Sequence, residues 1–263
     1  MTDGVLLRRT LAVLGVLVGI WLVVPTLIVV PISFSGENSF AFPPSSWGVG
    51  HYVRFFTERS WLNSLLVSLQ LALIVTVVAT VLGTAASVAL ARSRFRAKRA
   101  LDGLFLAPLI VPGIVVAVAL YATFLGWGLI GTPTGFVLAH TVLALPFVVV
   151  NVTAALSAVD PVLERAAAGL GASSWATFRQ VTFPIIRPGV GAGALFAFVT
   201  SFDEVVVSLF IQSPQLQTLP VRMFTSVTNE VDPTIAAAST VVLVVSTVLL
   251  GLAGLTRRRS SRV

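Results

Sequence analysis

Apolar residues in this chain come in long runs, each near the length that crosses a lipid bilayer, separated by short stretches rich in Pro, Gly and charge. A hydrocarbon core takes about 20 helical residues. Inside it, every backbone N–H and C=O must find a partner within the protein, which leaves helices for runs of this kind. The runs fall at about 11–32, 61–90, 101–125, 135–158, 188–211 and 234–255. The expected fold is therefore all-α: a polytopic membrane protein with six transmembrane helices in a single domain spanning 1–263. Composition agrees, because 56% of the residues are hydrophobic and only 10% are charged, too little charge to coat a soluble domain of this length. Pro25, Pro108, Pro112 and Pro146 lie inside the runs and predict kinks or broken turns.

The basic residues set the orientation. With the N-terminus inside, Arg8 and Arg9, the segment Arg92–Arg99, Arg165, Arg179, Arg187 and the tail residues Arg257, Arg258, Arg259 and Arg262 share the cytoplasmic side. Of the 17 Lys and Arg, only Arg54, Arg59 and Arg222 stay outside. That asymmetry is the positive-inside pattern. An odd number of spans would put one arginine-rich end on the wrong side, so both termini are expected in the cytoplasm and the chain in the cytoplasmic (inner) membrane. The same asymmetry accounts for the net charge of +7 without a nucleic-acid partner. The first run follows two arginines but lacks a small-x-small cleavage site, and it reads as a retained helix rather than a signal peptide. Of the exterior segments, 33–60 carries Trp47, Tyr52, Phe55 and Phe56 and leads into Trp61. Those aromatics suit either an interfacial belt or a surface that receives a soluble partner.

Catalytic material is scarce. The chain has no cysteine and two histidines, His51 and His140, so thiolate chemistry is excluded and a histidine-based metal site has too few ligands. No catalytic residue and no metal site is assigned. A phosphate loop of the form GxxxxGK[ST] is also missing from the sequence, which places any ATP-driven motor on another polypeptide.

The stretch 159–187 does not look like a plain linker. Asp160 followed by Pro161 reads as an N-cap with proline at the first helical position. The run from Leu163 to Ala168 is a strong helix former, and Gly169 and Gly171 end it. Ser173 or Ser174 can cap a second turn carrying Trp175, Phe178 and Val181, with Pro184 and Pro188 closing the unit before the next span. A short helix with small residues and protruding aromatics suits insertion into another protein's groove.

This segment resembles the "EAA" motif of ABC importer permeases, whose pattern is Glu-Ala-Ala, three residues, Gly, nine residues, then Ile-x-Leu-Pro. Ala166, Ala167 and Gly171 match in place, and Val181, Phe183 and Pro184 match the closing group conservatively. Arg165 stands where the family has glutamate, with Glu164 one position earlier. The resemblance implies that Glu164, Arg165, Ala166, Ala167, Gly171, Ala172, Ser173 and Pro184 belong to a coupling loop that docks on the ATP-binding subunit. It extends to the run Pro108–Ile114, to Leu195–Ser208 and to Thr218–Pro220, and the branch it most resembles is the second permease of spermidine/putrescine importers. Implied partners are a second, homologous permease subunit forming a heterodimer, two copies of an ATP-binding subunit that hold ATP and Mg, and an extracytoplasmic substrate-binding protein. No cofactor is expected on this chain. Ferric ion, thiamine and phosphonate are carried by related branches and remain alternative cargoes.

Asp203 and Glu204 sit within the fifth run. An acid at mid-bilayer costs about 2.5–3.5 kcal/mol on insertion scales, so it usually faces a cavity or a partner. Neighbours on a helix point about 100° apart. One division puts Asp203 with Thr200, Phe196 and Val207 on the translocation path, and Glu204 with Ser201 and Ser208 at a bundle contact; the reverse is equally compatible with the spacing. Asn63, Ser64, Ser68, Gln70, His140 and Asn151 fit interhelical hydrogen bonding better than path lining. Gly189, Gly193 and Ala197 form a small-residue stripe for close helix packing. A stand-alone secondary transporter would need coupling-ion sites or an inverted repeat, and an intramembrane enzyme would need facing catalytic pairs; neither is legible.

Overall fold

The computed structural model describes residues 3–93, 96–230 and 232–260. Arg94, Phe95 and Arg262, which belong to the basic segments above, lie outside them. Among the described residues there is no strand, and two isolated bridges are the only β pairing. The helices are α1 (Asp3–Ser33), α2 (Gly50–Thr57), α3 (Arg59–Arg92), α4 (Lys98–Ile110), α5 (Gly113–Trp127), α6 (Pro133–Leu156), α7 (Pro161–Gly169), α8 (Ser174–Thr177), α9 (Phe183–Phe202), α10 (Val206–Ile211), α11 (Leu219–Thr225) and α12 (Thr234–Ser260). π-helical turns occupy Phe178–Thr182 and Ser226–Glu230.

Among the described residues, four stretches are long and apolar enough to cross a membrane: Arg8–Ser33, Arg59–Arg92, Pro133–Leu156 and Ser174–Phe202. The third expected span is not one rod. α4 and α5 pass the same test together but are bent by 106° at Val111–Pro112. Pro112 has no N–H to donate and pushes the residue before it into extended backbone, and Val111 is extended at ψ 131. The expectation of a kink there is met, whereas α6 runs on through Pro146. The fifth expected span, 188–211, is also interrupted: α9 stops at Phe202 and α10 starts at Val206.

The chain forms two compact units. One contains the residues up to Leu62 together with Thr225–Val245; the other contains Asn63–Phe224 and the chain from Ser246. In the first, Phe55 and Trp61 are fully buried with ring centroids 5.9 Å apart, so these two aromatics are core and not part of a surface belt. Trp47 and Phe56 stay exposed. Arg54 reaches Asp232 at 3.4 Å and Glu58 at 3.0 Å. Asp232 Oδ1 accepts from Thr234 N at the start of α12. Burial raises the Asp232 carboxyl, but hydrogen bonds from Thr234 and the charge of Arg54 outweigh it and hold the group below its ordinary range.

In the second unit α6 is the central helix. Val148 and Val152 pack with Val75 and Ala79 of α3 and Ile186 and Ala197 of α9. Roughly two and a half to three turns before Val148 in the same helix, Phe136 and Ala139 pack with Ala117 and Phe124 of α5 and Val207 and Ile211 of α10. Lipid supplies little hydrophobic drive between helices, so close van der Waals approach of small residues does the work. The glycine stripe on α9 meets that need. A Cβ on Gly189 would lie 2.5 Å from Ala155 Cβ and 2.8 Å from Asn151 O, and one on Gly193 would lie 2.9 Å from Val148 Cα.

Candidate functional site

Local chemistry shapes the loop between α6 and α9 as the sequence suggests. Asp160 Oδ1 accepts from Val162 N at 2.8 Å, and Pro161 opens α7. At the other end Gly171 takes φ +86°. Its N–H bonds to Ala168 O, and Ala172 N bonds to Ala167 O. This is the Schellman arrangement, which closes the helix with a left-handed residue that glycine adopts without strain. Ser173 Oγ then accepts from Ala176 N at 3.2 Å and caps α8.

Beyond α8 the expectation needs correcting. Pro184 and Pro188 do not close a separate loop helix; helical structure runs unbroken from Ser174 to Phe202. The π turn at Phe178–Thr182 lies directly ahead of Pro184, where a wider turn eases the clash between the proline ring and the preceding carbonyls. Trp175 stacks on Phe178 at 5.6 Å while remaining 68% exposed, and Leu170 is 90% exposed. Large apolar side chains thus stand out from the loop next to Arg165, Ala166, Ala168 and Gly171, which are exposed too, while Ala167 and Ala172 are half-buried.

Glu164 is tied back to the spans. Arg92, the last residue of α3, donates to Glu164 Oε2 from Nε at 3.1 Å and to Oε1 from Nη2, and Thr182 Oγ1 donates to the same Oε1 at 2.6 Å. Arg92 Nη2 also reaches Thr182 Oγ1 at 3.0 Å. Burial pushes the Glu164 carboxyl up, but the bonds and charge of Arg92 with the Thr182 bond hold it below its usual range. Sequence reading did not single out Arg92 or Thr182 as partners of Glu164. The available signal was that Glu164 and Asp160 are the loop's only acids, facing a basic run assigned to the same side. Arg165 has no hydrogen bond or ion pair among the described residues and points outward.

At the break between α9 and α10, the two acids separate in role. Glu204 Oε1 accepts from Val207 N at 2.8 Å, capping α10. Asp203 is exposed, and its carboxylate has no partner among the described residues; its own N–H closes α9 on Val199 O at 3.0 Å. Phe196 and Thr200 fall on the Asp203 face of α9 by helical spacing, and Phe196 stacks on Phe147 at 6.1 Å. Val207 departs from the expected face: it lies past the break, 1% exposed in the core. Ser201 and Ser208 both hydrogen-bond His140, through Nδ1 at 2.9 Å and Nε2 at 3.0 Å. Interhelical bonding is therefore the role of His140. Ser68 Oγ likewise accepts from Leu219 N at 2.7 Å, whereas Asn151 bonds within its own helix to Phe147 O.

Comparison with known proteins places this geometry in context. Residues 79–262 match the family described as binding-protein-dependent transport system inner membrane component. The spermidine/putrescine transport system permease protein PotC of Haemophilus influenzae is 32% identical over 245 residues, covering 92% of this chain and 93% of the relative. The putrescine transport system permease protein PotI of Escherichia coli is 29% identical over 230 residues, covering 85% and 82%. Among solved structures, a bacterial ABC transporter importing the acidic polysaccharide alginate superposes with TM-score 0.72 at 12% identity, over 98% of this chain and 97% of that one. The alginate transporter in complex with its pentasaccharide-bound periplasmic protein gives 0.74 at 16% identity, over 97% and 94%.

Proposed function

This chain belongs to the family of binding-protein-dependent transport system inner membrane components, and from that premise we propose that it is the polyamine-conducting permease subunit of an ATP-driven importer. It forms one permease domain of six spans with both termini in the cytoplasm, the bent α4–α5 pair counting as the third and α12 as the sixth. Its partners are a homologous second permease, two copies of an ATP-binding subunit that hold ATP and Mg, and an extracytoplasmic binding protein. The chain itself catalyses no reaction.

The observation that carries this reading is the continuity from the docking loop to a lone carboxylate. α7 and α8 present Leu170 and Trp175 outward. Glu164 clasps α7 to the end of α3 and to Thr182, and helix runs from Ser174 to Phe202, ending at Asp203. When the ATP-binding subunits close, a push on Arg165, Ala166, Ala167, Gly171, Ala172, Ser173 and Pro184 is passed through that clasp to α3 and α9. Asp203, with Thr200 and Phe196 on its face, lines the path; Glu204 shapes the break beside it. A helix C-terminus carries partial negative charge, and with a free carboxylate it favours a cation over an anionic cargo such as phosphonate. Broken helices serve ions in this way in other transporters.

The test is competitive uptake by the reconstituted complex in cells lacking other polyamine importers. Labelled spermidine and putrescine are challenged with ferric, phosphonate and thiamine competitors. Saturable polyamine uptake, displaced only by polyamines, is expected. An intact, ATP-hydrolysing complex that takes up no polyamine removes the cargo assignment and leaves the family untouched.

A further inference from the structure

We propose that His140 is a positioning residue for transport, a bracket that holds the two halves of the broken fifth helix together and so fixes where Asp203 stands. It rests on the reading of Asp203 as the path acid. Between Asp203 and Val205 the chain leaves helical structure, so the backbone ladder does not hold α10 in register with α9. The two pieces also pack in different clusters: α9 through Ile186 and Ala197 with Val148, α10 through Val207 and Ile211 with Phe124 and Phe136. His140 sits on α6 between Ala139 of one cluster and Ala144 of the other, 1% exposed.

Its two ring nitrogens take one partner on each side of the break. Ser201, two residues before Asp203, bonds Nδ1 at 2.9 Å, and Ser208, four residues after Glu204, bonds Nε2 at 3.0 Å. A neutral imidazole has one donor and one acceptor, and a serine hydroxyl serves either role, so both nitrogens are satisfied in either tautomer. The Glu204 cap on Val207 N fixes only the first turn of α10; the bracket fixes that turn against α9. Without it only the packing of Val207 and Ile211 holds α10 on α5 and α6, and the Asp203 carboxylate moves with the loosened break.

The chain has no cysteine, so with partner subunits made cysteine-free a single introduced thiol reports on its own position. The experiment uses the full complex with its ATP-binding and binding-protein subunits in vesicles. His140→Phe keeps a ring but loses both hydrogen bonds, His140→Gln keeps a donor and an acceptor, and Ser201→Ala with Ser208→Ala removes the partners. Polyamine uptake is read per assembled complex, together with ATP hydrolysed per cation moved. In an Asp203→Cys background, the rate of reaction with a small cationic methanethiosulfonate is read against a Thr134→Cys control at the exposed start of α6.

His140→Phe and the double serine variant are expected to lower Vmax roughly tenfold and to shift the labelling rate of Asp203→Cys roughly threefold with that of Thr134→Cys unchanged, as small misplacements of a reacting group do. Gln is expected to restore most of both, and Phe combined with the serine pair to lose no more than either alone. Native labelling of Asp203→Cys and native uptake in His140→Phe overturn the proposal. So does a loss confined to the amount of assembled complex. Native uptake by Asp203→Asn would remove the path reading instead, while labelling of Asp203→Cys would still decide whether His140 fixes that position.

Discussion

Two pairs of adjacent charged residues divide their labour in the same way, one in the loop between α6 and α9 and one at the far end of the helical run it leads into. In the loop, Glu164 is consumed by Arg92 and Thr182 while Arg165 is left facing outward. At the break, Glu204 is consumed by the backbone of α10 while Asp203 is left free. The engaged member differs in reach. Glu204 bonds three residues away and shapes its own turn; Glu164 bonds residues 72 and 18 positions away and joins separate helices. Adjacent charges in such a protein are therefore not interchangeable: one builds the frame and its neighbour meets the outside.

That division breaks most visibly at the pair proposed for the path. Asp203→Asn is expected to lower polyamine uptake at least tenfold, about 1.4 kcal/mol, with assembly and ATP hydrolysis retained. Glu204→Gln, which keeps an acceptor for Val207 N, should cost less. Transport assays on both variants would reverse the roles if Glu204→Gln lost more at equal assembly.

Next in size is the clasp. Glu164→Gln or Arg92→Leu should lower transport per ATP hydrolysed by about 5–20-fold, in the range of ordinary coupling free energies of 1–3 kcal/mol. The Glu164 carboxyl is depressed below its ordinary range. Its contribution is therefore complete above the usual carboxylate pKa near 4.3 and fades only as pH falls through the lower folded-state value. A pH series of thermal stability should show a constant gap between native and Glu164→Gln complexes from about pH 6 to 8, narrowing only in strong acid. A gap that opens or closes near neutrality would mean another group holds the clasp.

A glycine comparison sharpens the loop itself. Gly171→Ala must place a side chain at φ +86° and should destabilise by about 1–2 kcal/mol. Gly169→Ala, with no heavy atom within 4 Å of its new Cβ, should be neutral or stabilise by up to about 1 kcal/mol. Thermal unfolding of the purified complex separates the two.

What was legible from sequence was local. Asp160, Pro161, Gly171 and Ser173 signal caps through bonds to residues at most a turn away, so their roles follow from spacing. The bend at Pro112 is legible for the same reason: proline acts on its own neighbours. The break at Asp203 is not, because the valines that follow continue the apolar run and nothing but the acids themselves interrupts it. Arg92 with Glu164, and His140 with its two serines, bring together residues far apart in the chain; charge sidedness hints at the first pairing, but nothing in one sequence specifies either. Phe55 and Trp61 were ambiguous because an aromatic looks alike at an interface and in a core.

The glycines of α9 also bear on the order of synthesis. Gly189 and Gly193 meet Asn151, Ala155 and Val148, all of them made earlier, and the Glu164 clasp closes on Arg92 and Thr182, which are also upstream of them. A nascent chain elongated past Ile211 therefore holds every residue that shapes the loop between α6 and α9 before α12 is made. A partner docking on the loop would then meet a finished surface, not one it must fold.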